Sequence, residues 1–206
     1  MIKSLLFSAS LLISSVLAQI PANQILDTPG PNLTYCIPEH LDGEQILIGR
    51  YIGTGNRRAT LIPVTNNYQL VTFQPEGPIL MDSQKWKVNK LVASGQAAEH
   101  LRLWQTVVVD GVAQDFCLTW AGAANNSYLS TRLCDSTKVN QLFRIHCKTC
   151  TGNEYTSCVI YTEQNPRFCI YFNDPSFASF ARFETCDHTQ RLEIKVGILP
   201  AALRAK

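Results

Sequence analysis

The sequence predicts an all-β fold: one domain of short strands, built from three repeated units around a shared core and held by disulfides. Segments such as QILIGRYIG, YQLVTFQ, LRLWQTVVVD, DFCLTWAG, SYLSTRLC, CVIYTE, RFCIYF and SFARFETC are short and rich in Val, Ile, Thr and aromatics. Gly, Pro, Asn, Asp or Ser bounds each of them, the signature of strands between turns. Eight cysteines supply an even count for cross-links. A third observation is a repeated phrase: LMDSQKWKV, LCDSTKVNQLFRI and TCDHTQRLEIKV each place Asp after a Cys or Met, then a polar stretch, then Gln-x-apolar. Only SGQAAEHLRL reads as helical, and it is too brief to set against so many strands.

From the N-terminus, Lys3 and Ser4 precede LLFSASLLISSVLA, an apolar run shorter than the ~20 residues that span a bilayer. Small side chains before Gln19 offer a cleavage point, so residues 1–18 read as a secretory signal and the mature chain as exported and extracellular. Residues 19–44 follow as an N-terminal arm, 45–196 as the domain, with units of about 45–90, 91–146 and 151–196, and 197–206 as a tail. No later segment is long and apolar enough to span a membrane. Export makes disulfides the expected fate of the thiols, and the sequons at Asn32 and Asn125 suit a glycoprotein. A metal or redox reading of HCKTC is weaker, since there is neither a second Cys-x-x-Cys nor a strand-helix-strand setting.

Charge narrows the partners. The whole chain carries +2, and losing Lys3 leaves +1, without the basic footprint of a nucleic-acid binder. A hydrophobic fraction of 46% argues against disorder.

The repeats then order the cysteines. Cys117 and Cys134 are separated by 17 residues, as are Cys169 and Cys186, and each first member sits in an aromatic-Cys-aliphatic strand. The same step back from Met81 reaches Val64, so the first unit lacks both members together, as a disulfide demands. Cys36, Cys147, Cys150 and Cys158 remain, and three pairings are open; we favour Cys36 with one thiol of CKTC and Cys158 with the other. The Gln-x-apolar pairs Gln84/Trp86, Gln141/Phe143 and Gln190/Leu192 read as strand residues sharing a face, the apolar member in the core and the Gln amide serving backbone groups of a turn.

A Cys-x16-Cys-Asp spacing followed by Gln-x-Trp resembles the repeat of the ricin B-chain-like lectins. That resemblance covers about Gln45 to Val196 and implies a β-trefoil of three pseudo-symmetric four-stranded units. It also implies a non-enzymatic, carbohydrate-binding protein whose pockets each combine an Asp, an aromatic platform and an Asn. The matching positions here hold Asn66, Thr119 and Tyr171; Ile79, Arg132 and Glu184; and Ser83, Asn140 and Thr189. Only Asn140 fits, so the second unit, with Asn140, Thr119, Arg132 and nearby Trp120, is the candidate sugar site. Trp104, Phe177, Phe180 and Phe183 read as core.

Nothing in the sequence marks a catalytic centre. His40, His100, His146 and His188 are scattered, without zinc spacing. Asp82, Asp135 and Asp187 recur at equivalent positions, which suggests turns that accept local N–H groups. No cofactor or metal is implied. A glycan or cell-wall polysaccharide is the leading partner. The alternative is a protein target, bound by a protease inhibitor or interaction factor through TGNRRAT (54–60) or CKTCTGNEYTSC (147–158).

Overall fold

The structure is a computed structural model that describes residues 35–52, 57–63, 71–75, 82–92, 99–122, 127–171, 181–186 and 194–204. Among the described residues twelve strands follow in order: β1 (Gln45–Ile52), β2 (Arg57–Pro63), β3 (Val71–Pro75), β4 (Trp86–Val92), β5 (Glu99–Val109), β6 (Val112–Trp120), β7 (Ser127–Leu133), β8 (Phe143–Thr151), β9 (Glu154–Thr162), β10 (Phe168–Tyr171), β11 (Arg182–Thr185) and β12 (Ile194–Ile198). A short helix, α1 (Ala201–Arg204), follows the last strand. Of the segment with helical looks, Glu99 onward is strand.

The period-2 alternation of apolar side chains is what these strands realise. Ile46 and Ile48 of β1, Leu101 and Leu103 of β5, Phe143 and Ile145 of β8, and Ile194 and Val196 of β12 are buried in one continuous core. Trp86, Phe143 and Phe183 are its largest fully enclosed side chains. Each such side chain stabilises the fold by about 2–3 kcal/mol relative to exposure.

The pairing corrects the expected architecture. Hydrogen bonding closes an antiparallel circuit of nine strands, β10-β11-β7-β6-β5-β4-β1-β12-β9 and back to β10, with β8 as one further strand between β5 and β9. β8 divides this circuit, leaving β1, β4, β5, β8, β9 and β12 as a smaller ring, while the β2–β3 hairpin is attached through β1. A β-trefoil of three pseudo-symmetric four-stranded units is not shown by this barrel topology. The physical reason is that the hairpins are not interchangeable. β7 zips to β11 through Tyr128 and Arg182, so the circuit runs across unit boundaries, and β2–β3 takes no place in it.

The disulfides do follow the repeat. Cys117 joins Cys134 and Cys169 joins Cys186, each stapling a hairpin. Cys36 joins Cys150 and Cys147 joins Cys158, the arrangement favoured from sequence. Backbone bonds between Cys36 and Cys147, 2.8 and 2.9 Å, lay the arm along β8 as an isolated bridge.

The signature residues keep their role but change their place. Gln84 and Gln141 lie in 3-10 turns ahead of β4 and β8, not within the strands. There the Gln141 amide donates to Leu133 O at 2.9 Å and its Oε1 accepts from Asp135 N–H at 2.9 Å. Trp86 and Phe143 then enter the core as the first residues of their strands. Asp135 takes its turn role too, its carboxylate accepting from the Thr137 N–H and hydroxyl at 2.9 and 2.7 Å. These bonds hold its carboxyl below the usual Asp range. Asn66, Ile79, Asp187, His188, Thr189, Gln190, Leu192, Phe177, Phe180, both sequons' Asn residues and the signal segment lie outside the described residues.

Candidate functional site

Residues paired across strands share a sheet face, and this fixes which side chains stand together on the outside of the barrel. Cys117 lies opposite Arg132 and Thr119 opposite Ser130 between β6 and β7. Tyr128 lies opposite Arg182 between β7 and β11, and Arg182 opposite Tyr171 between β11 and β10. One outer face therefore carries Thr119, Tyr128, Ser130, Arg132, Tyr171, Arg182 and Glu184. The opposite face carries Leu118, Trp120, Leu129, Ile170 and Phe183, all buried in the core.

Across the middle of the outer face runs a row of alternating chemistry, Tyr128–Arg182–Tyr171. Tyr128 is 42% exposed. The Arg182 guanidinium carbon sits 4.9 Å from the Tyr128 ring centroid, and its Nη2 reaches the Tyr128 hydroxyl at 3.4 Å. Such stacking holds a flexible cation in place. Glu184, two residues along β11, is on the same face as Arg182 and half-buried. An apolar ring, a fixed donor and a nearby acceptor thus stand in one partly exposed strip.

The four residues read from sequence as a sugar site divide between this face and the core. Arg132 is exposed on the outer face. Thr119 shares that face but is buried, its hydroxyl donating to Cys117 O at 2.9 Å. Trp120 points the other way, 4% exposed, with Phe168 and Phe183 ring centroids at 6.0 and 6.3 Å. Asn140 donates from Nδ2 to Trp120 O at 3.0 Å, closing the end of β6 onto the turn. Thr119 and Arg132 share the face of the row, whereas Trp120 and Asn140 serve the hairpin that carries it.

Sequence reasoning passed over Tyr128, and found Tyr171 and Glu184 only as mismatches to an expected Asp and aromatic. The available signal was alternation. In SYLSTRL, Leu129 belongs to the core, so Tyr128 and Arg132 must face out. What alternation does not give is which strand lies next to β7.

A second polar cluster lies behind β8 and β9. Glu163 pairs with Arg144, Nε to Oε2 at 2.6 Å and Nη2 to Oε1 at 3.0 Å, and with His100 Nδ1 at 3.2 Å. Tyr161 stands between Arg144 and His146, its hydroxyl 3.2 Å from His146 Nε2. Burial, followed by the Arg144 charge, pulls the His146 imidazole down to about 4, and burial pushes the Tyr161 phenol up to about 12. Both are therefore neutral near pH 7, with Arg144 and Glu163 half-buried beside them.

Of the inhibitor-like segments, 147–158 is not a long loop: Cys147–Thr151 and Glu154–Cys158 are strand, joined at Gly152 and Asn153. In the other, residues 57–60 belong to β2. Among the described residues no group of three or more His, Cys, Asp or Glu has metal-binding geometry, and no helix is long and apolar enough to cross a membrane. No protein-family model and no curated protein matches the chain.

Proposed function

We propose that the protein is a secreted, non-enzymatic carbohydrate-binding module whose ligand rests on the outer face of β6, β7, β10 and β11. The observation that supports this reading is the Tyr128–Arg182–Tyr171 row, with Tyr128 exposed and Arg182 held over its ring. A pyranose presents an apolar C–H face and an edge of hydroxyl groups. Tyrosine rings suit the first, while a guanidinium and a carboxylate such as Glu184 suit the second. The two hairpins that carry the row are each cross-linked, so the strip is pre-organised and little ordering is needed on binding.

The test is binding of the oxidised protein to immobilised glycans and cell-wall polysaccharides, with Tyr128→Ala, Arg182→Ala and Arg132→Ala alongside. An aromatic contact of 0.5–1.5 kcal/mol predicts that Tyr128→Ala weakens binding by up to about tenfold. Arg182→Ala should weaken it comparably, and Arg132→Ala less. Binding indifferent to Tyr128 and Arg182, or silence across the panel, would remove the reading.

A further inference from the structure

The hairpin of β5 and β6 outruns its neighbours. β4 pairs with β5 only as far as Lys87 opposite Trp104, and β7 pairs with β6 only from Leu133 opposite Phe116. Beyond these points Thr106–Val109 and Val112–Asp115 pair with each other as a two-stranded ribbon. Asp110 and Gly111, at φ 52° and 79°, make its two-residue turn, the primed geometry that matches strand twist. Val108 and Val112 at its tip are 66% and 58% exposed.

The turn fixes the hydrogen-bond phase. In a two-residue hairpin the flanking pair, Val109 with Val112, exchanges bonds inward, so Val108 and Thr106 direct N–H and C=O outward from β5. The corresponding outward groups on β6 belong to Ala113 and Asp115, and Asp115 O already accepts from Cys134 N–H at 2.9 Å. Among the described residues the β5 side is thus the strand edge open to addition. Its side chains, Thr-Val-Val-Val, carry no charge.

We infer that this edge is a self-association surface, on which β5 of a second copy pairs antiparallel about a two-fold axis at Val108. Homotypic pairing has matching chemistry at every position. Val108 faces its own copy, Val107 faces Val109, and Thr106 lies beside the turn that begins at Asp110. The ends are also complementary in charge. Lys87 Nζ lies 3.1 Å from Thr106 Oγ1, whose hydroxyl donates to the exposed Asp115 carboxylate at 2.9 Å, and 4.4 Å from the Trp104 ring, at the end of the vacated edge. The tip Asp110 of one copy therefore arrives beside Lys87 of the other, twice by symmetry. An incoming strand takes the place beside β5 beyond the start of β4, past the Asp82–Gln84 turn, whose Ser83 O accepts from the Gln105 amide at 2.9 Å. So short a pairing buries less than the ~1,200 Å² of standard complexes, and the dimer is accordingly weak.

Sedimentation of the oxidised protein over a concentration series tests this. The expected result is a monomer–dimer equilibrium that Val108→Glu abolishes and Leu133→Glu, equally exposed but off the ribbon, leaves intact. Lys87→Glu and Asp110→Lys should each weaken the dimer, and the double exchange should restore it. Hydrogen exchange of the unaltered chain supplies a reading independent of variant folding: Thr106 and Val108 amides should gain protection with concentration while Ala113 does not. A chain monomeric to about 1 mM, where association would be worth less than about 4 kcal/mol, overturns the inference. So does a dimer that survives Val108→Glu, one lost equally in Leu133→Glu, or a monomer whose ribbon instead binds lipid vesicles.

Discussion

His146 shows how a single side chain links burial to pH. It is 8% exposed, with Tyr161 in edge contact at 5.2 Å, Tyr35 at 6.5 Å between ring centroids, and Arg144 as the nearby cation. The folded imidazole titrates at about 4 against an ordinary 6.5. Between those values the unfolded chain binds the extra proton, so stability falls as pH drops from 6.5 to 4 and this contribution levels off below. The full difference is on the order of 3 kcal/mol. Urea unfolding at pH 7, 5 and 4 should show the loss, and His146→Gln should flatten it over that window. An unchanged slope in the variant would assign the acid sensitivity over that window to groups other than His146. Tyr161 acts at the other end: with its folded phenol at about 12 and an unfolded value of 10, stability is lost as pH rises between them. Gln141 makes a related point without charge. Its amide holds two backbone groups of the turn before β8, so Gln141→Leu should destabilise by about 1–3 kcal/mol, measured by denaturant midpoint, although the replacement is apolar and the site 2% exposed.

At the scale of elements, the cross-links differ in what they restrain. Cys36–Cys150 spans 114 residues, Cys117–Cys134 and Cys169–Cys186 span 17 each, and Cys147–Cys158 spans 11. If chain entropy dominates, removing Cys36–Cys150 as a Ser pair should cost about 5 kcal/mol and removing Cys147–Cys158 about 3. Thermal unfolding of the two double variants measures the order. The reverse order would mean that native packing around the Cys147–Cys158 staple outweighs unfolded-chain entropy. These staples were legible in the sequence because spacing repeats and thiol counts are local arithmetic. Strand identity was legible for the same reason: Ile194 and Val196 announce β12 by alternation, although the strand runs on through Ile198, which falls in the expected tail. The Gln residues were misplaced into strands because Gln-x-Trp alternates like a strand, whereas the backbone makes a 3-10 turn up to Gln84 and Gln141 before extending. Position in a motif also misled for Trp120 and Asn140. Proximity along the chain joined them to Thr119 and Arg132, yet neighbours on a strand face opposite ways and Asn140 closes the hairpin.

For the whole molecule, neighbours matter more than elements, and neighbours are what the sequence conveys least. Nothing in SYLSTRL or RFET states that β7 and β11 will meet, yet that contact creates the Tyr128–Arg182–Tyr171 row and draws the circuit across the expected units. Closure is the same kind of property. β12 inserts between β1 and β9, pairing Ile46 with Ile198 and Gly197 with Glu154, so the first and last strands complete the barrel. Without β12 both neighbours present bare edges, and Ile46, Ile48, Tyr155 and Ile160 lose cover on one side of the core. The tail adds a lesser clamp, since Arg204 Nε donates to Leu199 O at 2.6 Å and its guanidinium pairs with Glu44. Two truncations separate these contributions. A chain ending at Leu199 keeps the closing strand and the buried Leu199 and should fold, with a stability loss of about 1–2 kcal/mol for the half-exposed ion pair and its hydrogen bond. One ending at Cys186 keeps all four disulfides but lacks the closing strand and should not fold cooperatively, giving no sharp unfolding transition. Because closure joins residues at opposite ends of the domain, refolding should also be slow, in the millisecond-to-second range of β-rich domains. A cooperative transition in the shorter chain would mean that the remaining sheet holds its core without the final strand.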